Sequence, residues 1–284
     1  MTAVDHDLEA AILVRTPIAP SRGWRDLELR SVWAYRQLVY FLTWRDLKVR
    51  YRQTVLGVAW VLLQPLLTMV VFSLIFGRVA KIPSEGVPYP IFSFAALLPW
   101  TFFSNAILAA SMSVVASSAM ITKVYFPRLL LPLAAVGGTL VDFVLSFVVF
   151  AGLMAYYGVV PPPRVVLLPL LVLLAVAAPL GLGMLLAALN VRYRDVRYVV
   201  PFLVQFWLFL TPVVYPASLL GEPWRSLIGL NPMTGVVEGF RWALLGTHLA
   251  SPWLLPLSAT TAALSFAGGL VVFRQVEDSF ADVV

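Results

Sequence analysis

The chain has 284 residues, of which 61 % are hydrophobic and 12 % charged, with a formal net charge of +6. A soluble domain is roughly half apolar and a quarter charged, so this composition excludes a soluble globular protein and a disordered one. What remains is a chain that lies mostly in lipid.

Residues 1–30 are polar, with Pro17 and Pro20, and read as a flexible cytoplasmic arm. They lack the apolar core and small-residue cleavage site of a secretory signal. In residues 31–53, Val32, Tyr35, Leu38, Val39, Phe41 and Leu42 recur at helical spacing, and Arg45, Lys48, Arg50 and Arg52 crowd the C-terminal half. With Trp33 and Trp44, this pattern predicts a basic amphipathic helix at the headgroup boundary, or a soluble docking helix. Residues 54–276 form the membrane domain. Val55–Phe76 is the first apolar span, roughly 33 Å long as a helix, enough to cross a core of ~30 Å. Ile91–Val115, Pro132–Tyr157, Val165–Leu189, Val199–Tyr215 and Pro252–Phe273 follow. Leu227–Leu245 is apolar but broken by Asn231, Pro232, Gly235, Glu238, Gly239 and Arg241. It is too polar to face lipid and reads as a re-entrant helical pair. Residues 277–284 are a short cytoplasmic tail. With six spans and the N-terminus inside, fifteen of the 20 Lys and Arg residues fall on the cytoplasmic side. Both termini are then cytoplasmic. No internal repeat is evident.

The fold class is therefore all-α and integral to the membrane, and catalysis is not expected. The sequence has no phosphate-cradling G-x-x-x-x-G-K-[ST] loop, no G-x-S-x-G elbow and no H-E-x-x-H. It has no cysteine, and His6 and His248 are far apart, which excludes a thiolate site and argues against a histidine metal centre. Asp142 is the one acid well inside a span. It reads either as a proton relay or substrate contact, or as a buried hydrogen bond to a neighbouring helix. Lys123, Val124, Tyr125, Phe126, Pro127 and Arg128 form a short basic loop with aromatics, either a protein-docking surface or a positive-inside belt. Arg192, Tyr193, Arg194 and Asp195 form a second loop with the same two readings. Trp60, Trp100, Phe102, Phe103 and Tyr215 are candidate channel aromatics, since flat apolar ring faces let sugar rings slide; the alternative is an interfacial belt. Pro65, Pro99, Pro179 and Pro212 mark kinks.

Five ordered stretches carry a resemblance: Thr43–Gln64, Leu98–Asn105, Lys123–Pro132, Leu189–Pro216 and Leu230–Gly246. Together they resemble the membrane subunits of ABC-2-type polysaccharide exporters, which move O-antigen, capsule and teichoic acid precursors. The resemblance covers about residues 35–276. It implies six membrane helices per subunit, a homodimer in the bacterial inner membrane, and two copies of a separate ATPase subunit. ATP and Mg bind that partner, and no cofactor binds this chain. The implied substrate is a glycan linked to undecaprenyl diphosphate. By the same resemblance, Lys123–Arg128 and the Arg192–Asp195 loop touch the ATPase. Arg45, Lys48, Arg50 and Arg52 meet the diphosphate. Asn231, Pro232, Glu238 and Arg241 belong to an outer gate, with Glu238 and Arg241 paired. Leu129 departs from the pattern, where relatives carry an acid, so a salt bridge is not expected there. Three competing readings are an ABC-2 exporter of another lipid or drug, a proton-coupled carrier using Asp142, and a membrane-embedded glycan-modifying enzyme.

Overall fold

The computed structural model describes residues 29–52, 58–277 and 280. The arm up to residue 28, the junction 53–57 and most of the tail lie outside the described residues.

Every regular element among the described residues is helical. Helices α1 (Leu29–Ala34) and α2 (Arg36–Arg52) open the chain. Helix α3 (Val58–Phe72) contains Pro65 and runs on into wider i→i+5 turns over Ser73–Val79, three residues past the expected end of the first span. Helix α4 (Tyr89–Ala116) is followed by the single turn α5 (Ser118–Ile121). Helix α6 (Leu130–Tyr157) stops at Gly158, whose left-handed backbone (φ 65°) takes a conformation other residues resist. A 3₁₀ turn at Pro163–Leu167 leads into α7 (Leu168–Arg192). Then come α8 (Val196–Leu210), α9 (Trp224–Ile228), α10 (Pro232–Leu245) and α11 (Leu254–Val276).

Among the described residues, five helical stretches are long and apolar enough to cross a membrane: Ala59–Val79, Tyr89–Ala116, Leu130–Tyr157, Pro163–Arg192 and Leu254–Val276. The expected span Val199–Tyr215 departs from its prediction. Its helix starts at Val196 and ends at Leu210 after 15 residues, shorter than a full crossing. The cause is local. Pro212 has no N–H to continue the ladder, and it pushes Thr211 into an extended conformation (φ −102°, ψ 138°).

Helix α4 is the hub, packed on α3, α6, α7 and α10. In its most apolar stretch 78 % of residues are buried inside the protein, against 11 % for Ala59–Val79. The first span thus has few residues fully enclosed by the rest of the protein. Rings fill the space around α4: Phe94 stacks on Phe150 at 6.0 Å, and Phe102 meets Phe143 at 5.3 Å.

Helices α7 and α11 touch backbone to backbone. A Cβ on Gly269 would lie 1.9 Å from the Gly181 carbonyl oxygen, and one on Gly181 would lie 2.4 Å from the Phe266 Cα. Lipid offers helices no hydrophobic drive to associate, so such close approach of small residues supplies the packing. Helix α2 runs lengthwise along α6 rather than across it. Thr43 Oγ1 donates to the Ala134 carbonyl (3.2 Å), and one stretch further on Arg50 reaches Asp142. Contacts seven residues apart on α2 meet contacts eight apart on α6, so the two run alongside in the same direction. Nor is α2 cleanly two-faced. Leu42 and Leu47 are buried, but Tyr40, Phe41, Trp44 and Val49 are exposed around it.

Gly269→Ala is expected to destabilise the purified protein by about 1–3 kcal/mol through overpacking. Gly268→Ala, whose Cβ meets nothing within 4 Å, is the neutral control. Thermal unfolding in detergent checks both, and equal melting temperatures would refute the crossing.

Candidate functional site

Three groups of functional side chains come together: a polar cavity on one side of the bundle, a buried charge pair near the turn after α8, and two exposed loops at one end.

The cavity has a volume of about 300 Å³. Its walls come from α2 (Arg50), α3 (Trp60, Val61, Gln64, Pro65), α4 (Leu98, Thr101, Phe102, Asn105, Leu108) and α6 (Thr139, Asp142, Phe143, Ser146). Asp142 is buried in its wall and is tied to α2, outside its own span. Arg50 Nη1 donates to Asp142 Oδ2 at 2.6 Å, and the Tyr51 hydroxyl donates to Oδ1. Burial pushes the Tyr51 hydroxyl up to about 12, and the bond to Asp142 adds to the shift, so Tyr51 stays a donor. Asp142 thus makes the expected bond to a neighbouring helix while remaining in the cavity wall. Gln64 and Asn105 are exposed within otherwise apolar helices, and their side-chain amides make no hydrogen bond among the described residues. An amide left bare to hydrocarbon costs several kcal/mol, so this face must meet water, a second chain or a polar solute.

Arg45, Lys48, Arg50 and Arg52 do not form one cluster. At 100° per residue, positions 45, 48 and 52 share one face of α2, while Arg50 lies on another. Arg45 is paired with Asp46 at 2.8 Å, and Lys48 sits 5.7 Å from the centre of the Trp44 ring. Arg52 is exposed. Of the candidate aromatics, Trp60 is 52 % exposed and, with Phe102, lines the cavity. Trp100 and Phe103 are buried against each other at 5.4 Å, and Phe103 also meets Trp207. They belong to the core because α4 is enclosed on nearly every side. Tyr215 lies in the turn after α8, away from the cavity, its hydroxyl donating to the Phe209 carbonyl (3.3 Å).

The expected pairing of Glu238 with Arg241 is present at 3.2 Å, and both side chains are almost wholly buried. The pair is more than an i, i+3 surface bridge. Arg241 Nη1 donates to the Pro212 carbonyl (2.7 Å), Nη2 to the Val213 carbonyl (2.6 Å) and Nε to the Phe92 carbonyl (3.3 Å). Its guanidinium lies 3.7 Å over the Phe92 ring. Glu238 Oε1 accepts the Ala217 N–H (3.3 Å). The Pro212 and Val213 carbonyls, which lie beyond the end of α8 and have no helical partner, are thus satisfied from α10. Asn231 completes the clamp. Its Oδ1 caps α10 by accepting the Met233 N–H (3.0 Å), and its Nδ2 donates to Thr211 Oγ1 (2.8 Å). Pro232 occupies the first turn of α10, where its missing N–H costs nothing.

Asn190 Nδ2 donates to the Ser111 carbonyl (3.0 Å), so α7 and α4 finish side by side and the two loops leave the same end of the bundle. In the first loop Lys123, Val124 and Tyr125 are exposed, with Tyr125 at 73 %. Phe126 and Pro127 are buried and Arg128 half-buried. Phe126 is therefore an anchor under the loop, a correction to its reading as a surface aromatic. In the second loop Arg192, Tyr193, Arg194 and Asp195 are all exposed. Arg192 lies 5.7 Å from the Tyr193 ring centre, and Arg197 donates to the Arg194 carbonyl at 3.0 Å.

Sequence reasoning missed Tyr51, Gln64 as a cavity residue, Thr101, Asn105, Thr139, Ser146, Thr211 and Ser258. Ser258 Oγ accepts the Gly235 N–H (2.9 Å) and donates to the Gly229 carbonyl (3.0 Å), holding α10 to α11. Apart from Tyr51, which stands between Arg50 and Arg52, their signal is a polar side chain inside an apolar run. Among the described residues, no group of three or more His, Cys, Asp or Glu is placed to hold a metal ion.

Residues 37–245 match the family model described as ABC-2 type transporter. The chain is 36 % identical over 261 residues to the O-antigen export system permease protein RfbA of Myxococcus xanthus, covering 90 % of this chain and 98 % of the relative. It is 26 % identical to a Klebsiella pneumoniae protein of the same description, over 87 % of this chain and 95 % of the relative. It is 21 % identical to the polysialic acid transport protein KpsM of Escherichia coli, over 83 % and 92 % respectively.

Arg241→Gln is expected to cost about 3–5 kcal/mol, because it strands Glu238 and the Pro212 and Val213 carbonyls. Exchanging the charges (Glu238→Arg with Arg241→Glu) is not expected to rescue it, since a carboxylate cannot donate to carbonyls. The folded fraction after heating in detergent checks this, and full rescue by the exchange would reduce the clamp to a simple ion pair.

Proposed function

The chain belongs to the ABC-2 type transporter family, and from that premise we propose that it is the permease subunit of an ATP-driven exporter of a lipid-linked polysaccharide. The relative that shares 36 % of its residues over nearly its full length supports O-antigen-type cargo. The observation that carries a transport role is the polar cavity. Exposed Gln64 and Asn105, with half-exposed Trp60, sit on helices that are otherwise apolar.

On this reading two copies assemble about a two-fold axis, so that the outward faces of α3 and α8 meet around a shared path. The outward apolar residues of both helices, including Leu67, Val71, Phe202 and Phe206, fit such a seam. The turn after α8 completes a sixth crossing, and α9 with α10 forms the re-entrant pair at the outer side. Both termini are cytoplasmic, in a bacterial inner membrane, as the positive-inside bias favours. Glu238, Arg241, Asn231 and Pro232 then hold the outer gate. Two copies of a separate ATPase subunit bind ATP and Mg and dock on Lys123–Arg128 and Arg192–Asp195. The cargo travels on undecaprenyl diphosphate. Arg45, Lys48 and Arg52, on one face of α2, are the side chains that receive the carrier's headgroup.

Tyr125→Ala is expected to lower surface glycan about ten-fold while leaving the folded amount unchanged, because it removes an exposed aromatic anchor. Phe126→Ala is expected to lower the folded amount itself, by about 3–5 kcal/mol of stability. Immunoblots of surface glycan and of the permease separate the two. Full glycan export in Tyr125→Ala would remove the loop from the ATPase interface.

A further inference from the structure

The cavity beside Asp142, which carries the transport reading, has a composition that also bears on what it takes. Four features define it. It is small, at about 300 Å³, the lower end of ligand pockets, which run roughly 300–1,000 Å³. It carries no net charge, because the one cation in its wall, Arg50, is paired with the one anion, Asp142, at 2.6 Å. It is rich in side chains that both donate and accept: Gln64 and Asn105, with Thr101 beside them. One wall is an indole, Trp60, left 52 % exposed.

We propose that this cavity is a sugar subsite that takes one uncharged pyranose ring of the exported glycan, and that the diphosphate of the lipid carrier binds elsewhere. The proposal rests on the reading of the chain as a glycan exporter. A pyranose has an apolar C–H face for Trp60 and a rim of hydroxyls, each a donor and an acceptor. Gln64 and Asn105 answer that rim with both kinds of group. The Arg50–Asp142 pair presents a donor and an acceptor side by side, which suits neighbouring hydroxyls. A diphosphate needs surplus positive charge and several donors, and Asp142 cancels the only cation here. Lys48 and Arg52, which have no carboxylate partner among the described residues, lie on another face of α2. A site that hydrogen-bonds hydroxyls rejects a ligand lacking them, because its polar groups are then left unpaired.

The natural chain contains no cysteine, so single reporters can be placed directly. Val61→Cys and Leu108→Cys line the cavity without touching its polar groups, and Val148→Cys faces outward on the same helix as Asp142. The full complex with its ATPase, held without hydrolysis in lipid nanodiscs, is treated with a charged, water-soluble thiosulfonate. The cavity reporters are expected to react and Val148→Cys to stay inert. A polyprenyl diphosphate carrying a short glycan is expected to slow the cavity reporters about ten-fold, the scale of one or two hydrogen bonds. The same polyprenyl diphosphate without sugars is expected to leave them unchanged. Adding Asn105→Leu is expected to abolish the protection. Adding Asp142→Asn, which uncovers Arg50, is expected to make the sugar-free diphosphate protective. Equal protection by the sugar-free carrier in the natural background would make this a phosphate site and overturn the proposal. Inert cavity reporters, or no protection by the glycan, would overturn it too. The transport reading is judged separately, by loss of surface glycan when the gene is deleted. If export survives the deletion, that reading falls with the subsite; if export is lost and protection is absent, only the subsite falls.

Discussion

A polar group inside a lipid-embedded helical bundle must find a partner, because no bulk water is there to supply one. Most of the informative features of this protein are answers to that demand. Where the chain turns at Pro212 beyond α8, the Pro212 and Val213 carbonyls are met by Arg241, reaching across from α10. Where Asp142 interrupts α6, Arg50 and Tyr51 come in from α2. Where Asn190 ends α7, the Ser111 carbonyl receives it. Gln64 and Asn105 stand out because no protein group among the described residues answers them.

The second organising feature is uneven burial. Helix α4 is enclosed by its neighbours, whereas the first span is packed on one narrow side. Helices α7 and α11 are drawn together by glycines that bring their backbones into contact. The result is a rigid half of α4, α7, α10 and α11, and an open half in which α3 and α8 turn large apolar faces outward. A bundle built this way has a firm frame and an unfinished side. The polar cavity lies on the α2–α3 flank of that frame. The clamp at the turn after α8 joins the two halves, so motion of α8 relative to the frame has to involve Arg241.

Much of this was legible beforehand from particular residues. Long apolar runs gave four helices to within three residues at either end, since crossing a bilayer needs about 20 apolar residues and little else qualifies. Asn231-Pro232 marked the start of α10 because that pair suits a cap and first turn. The spacing of Glu238 and Arg241 foretold their contact. Phe126 misled, because loop residues between charges look exposed in sequence, whereas this ring folds beneath the loop. Trp100 and Phe103 misled for the same reason: aromatic content shows that a ring is present, not which way it turns.

The sequence by itself determined the class of protein and the rough position of the apolar helices, and it carries no phosphate-cradling G-x-x-x-x-G-K-[ST] motif. Those properties depend on composition, length and local spacing, and each can be read from one stretch of chain. Tertiary structure alone decided that Arg50 serves Asp142, that Arg241 holds the backbone after α8, and that Gln64 and Asn105 line one shared cavity. These join residues tens of positions apart, on helices whose rotation about their own axes is fixed only by close packing. In an almost uniformly apolar span the sequence carries little sign of which face turns inward, so that choice waits for the neighbouring helices.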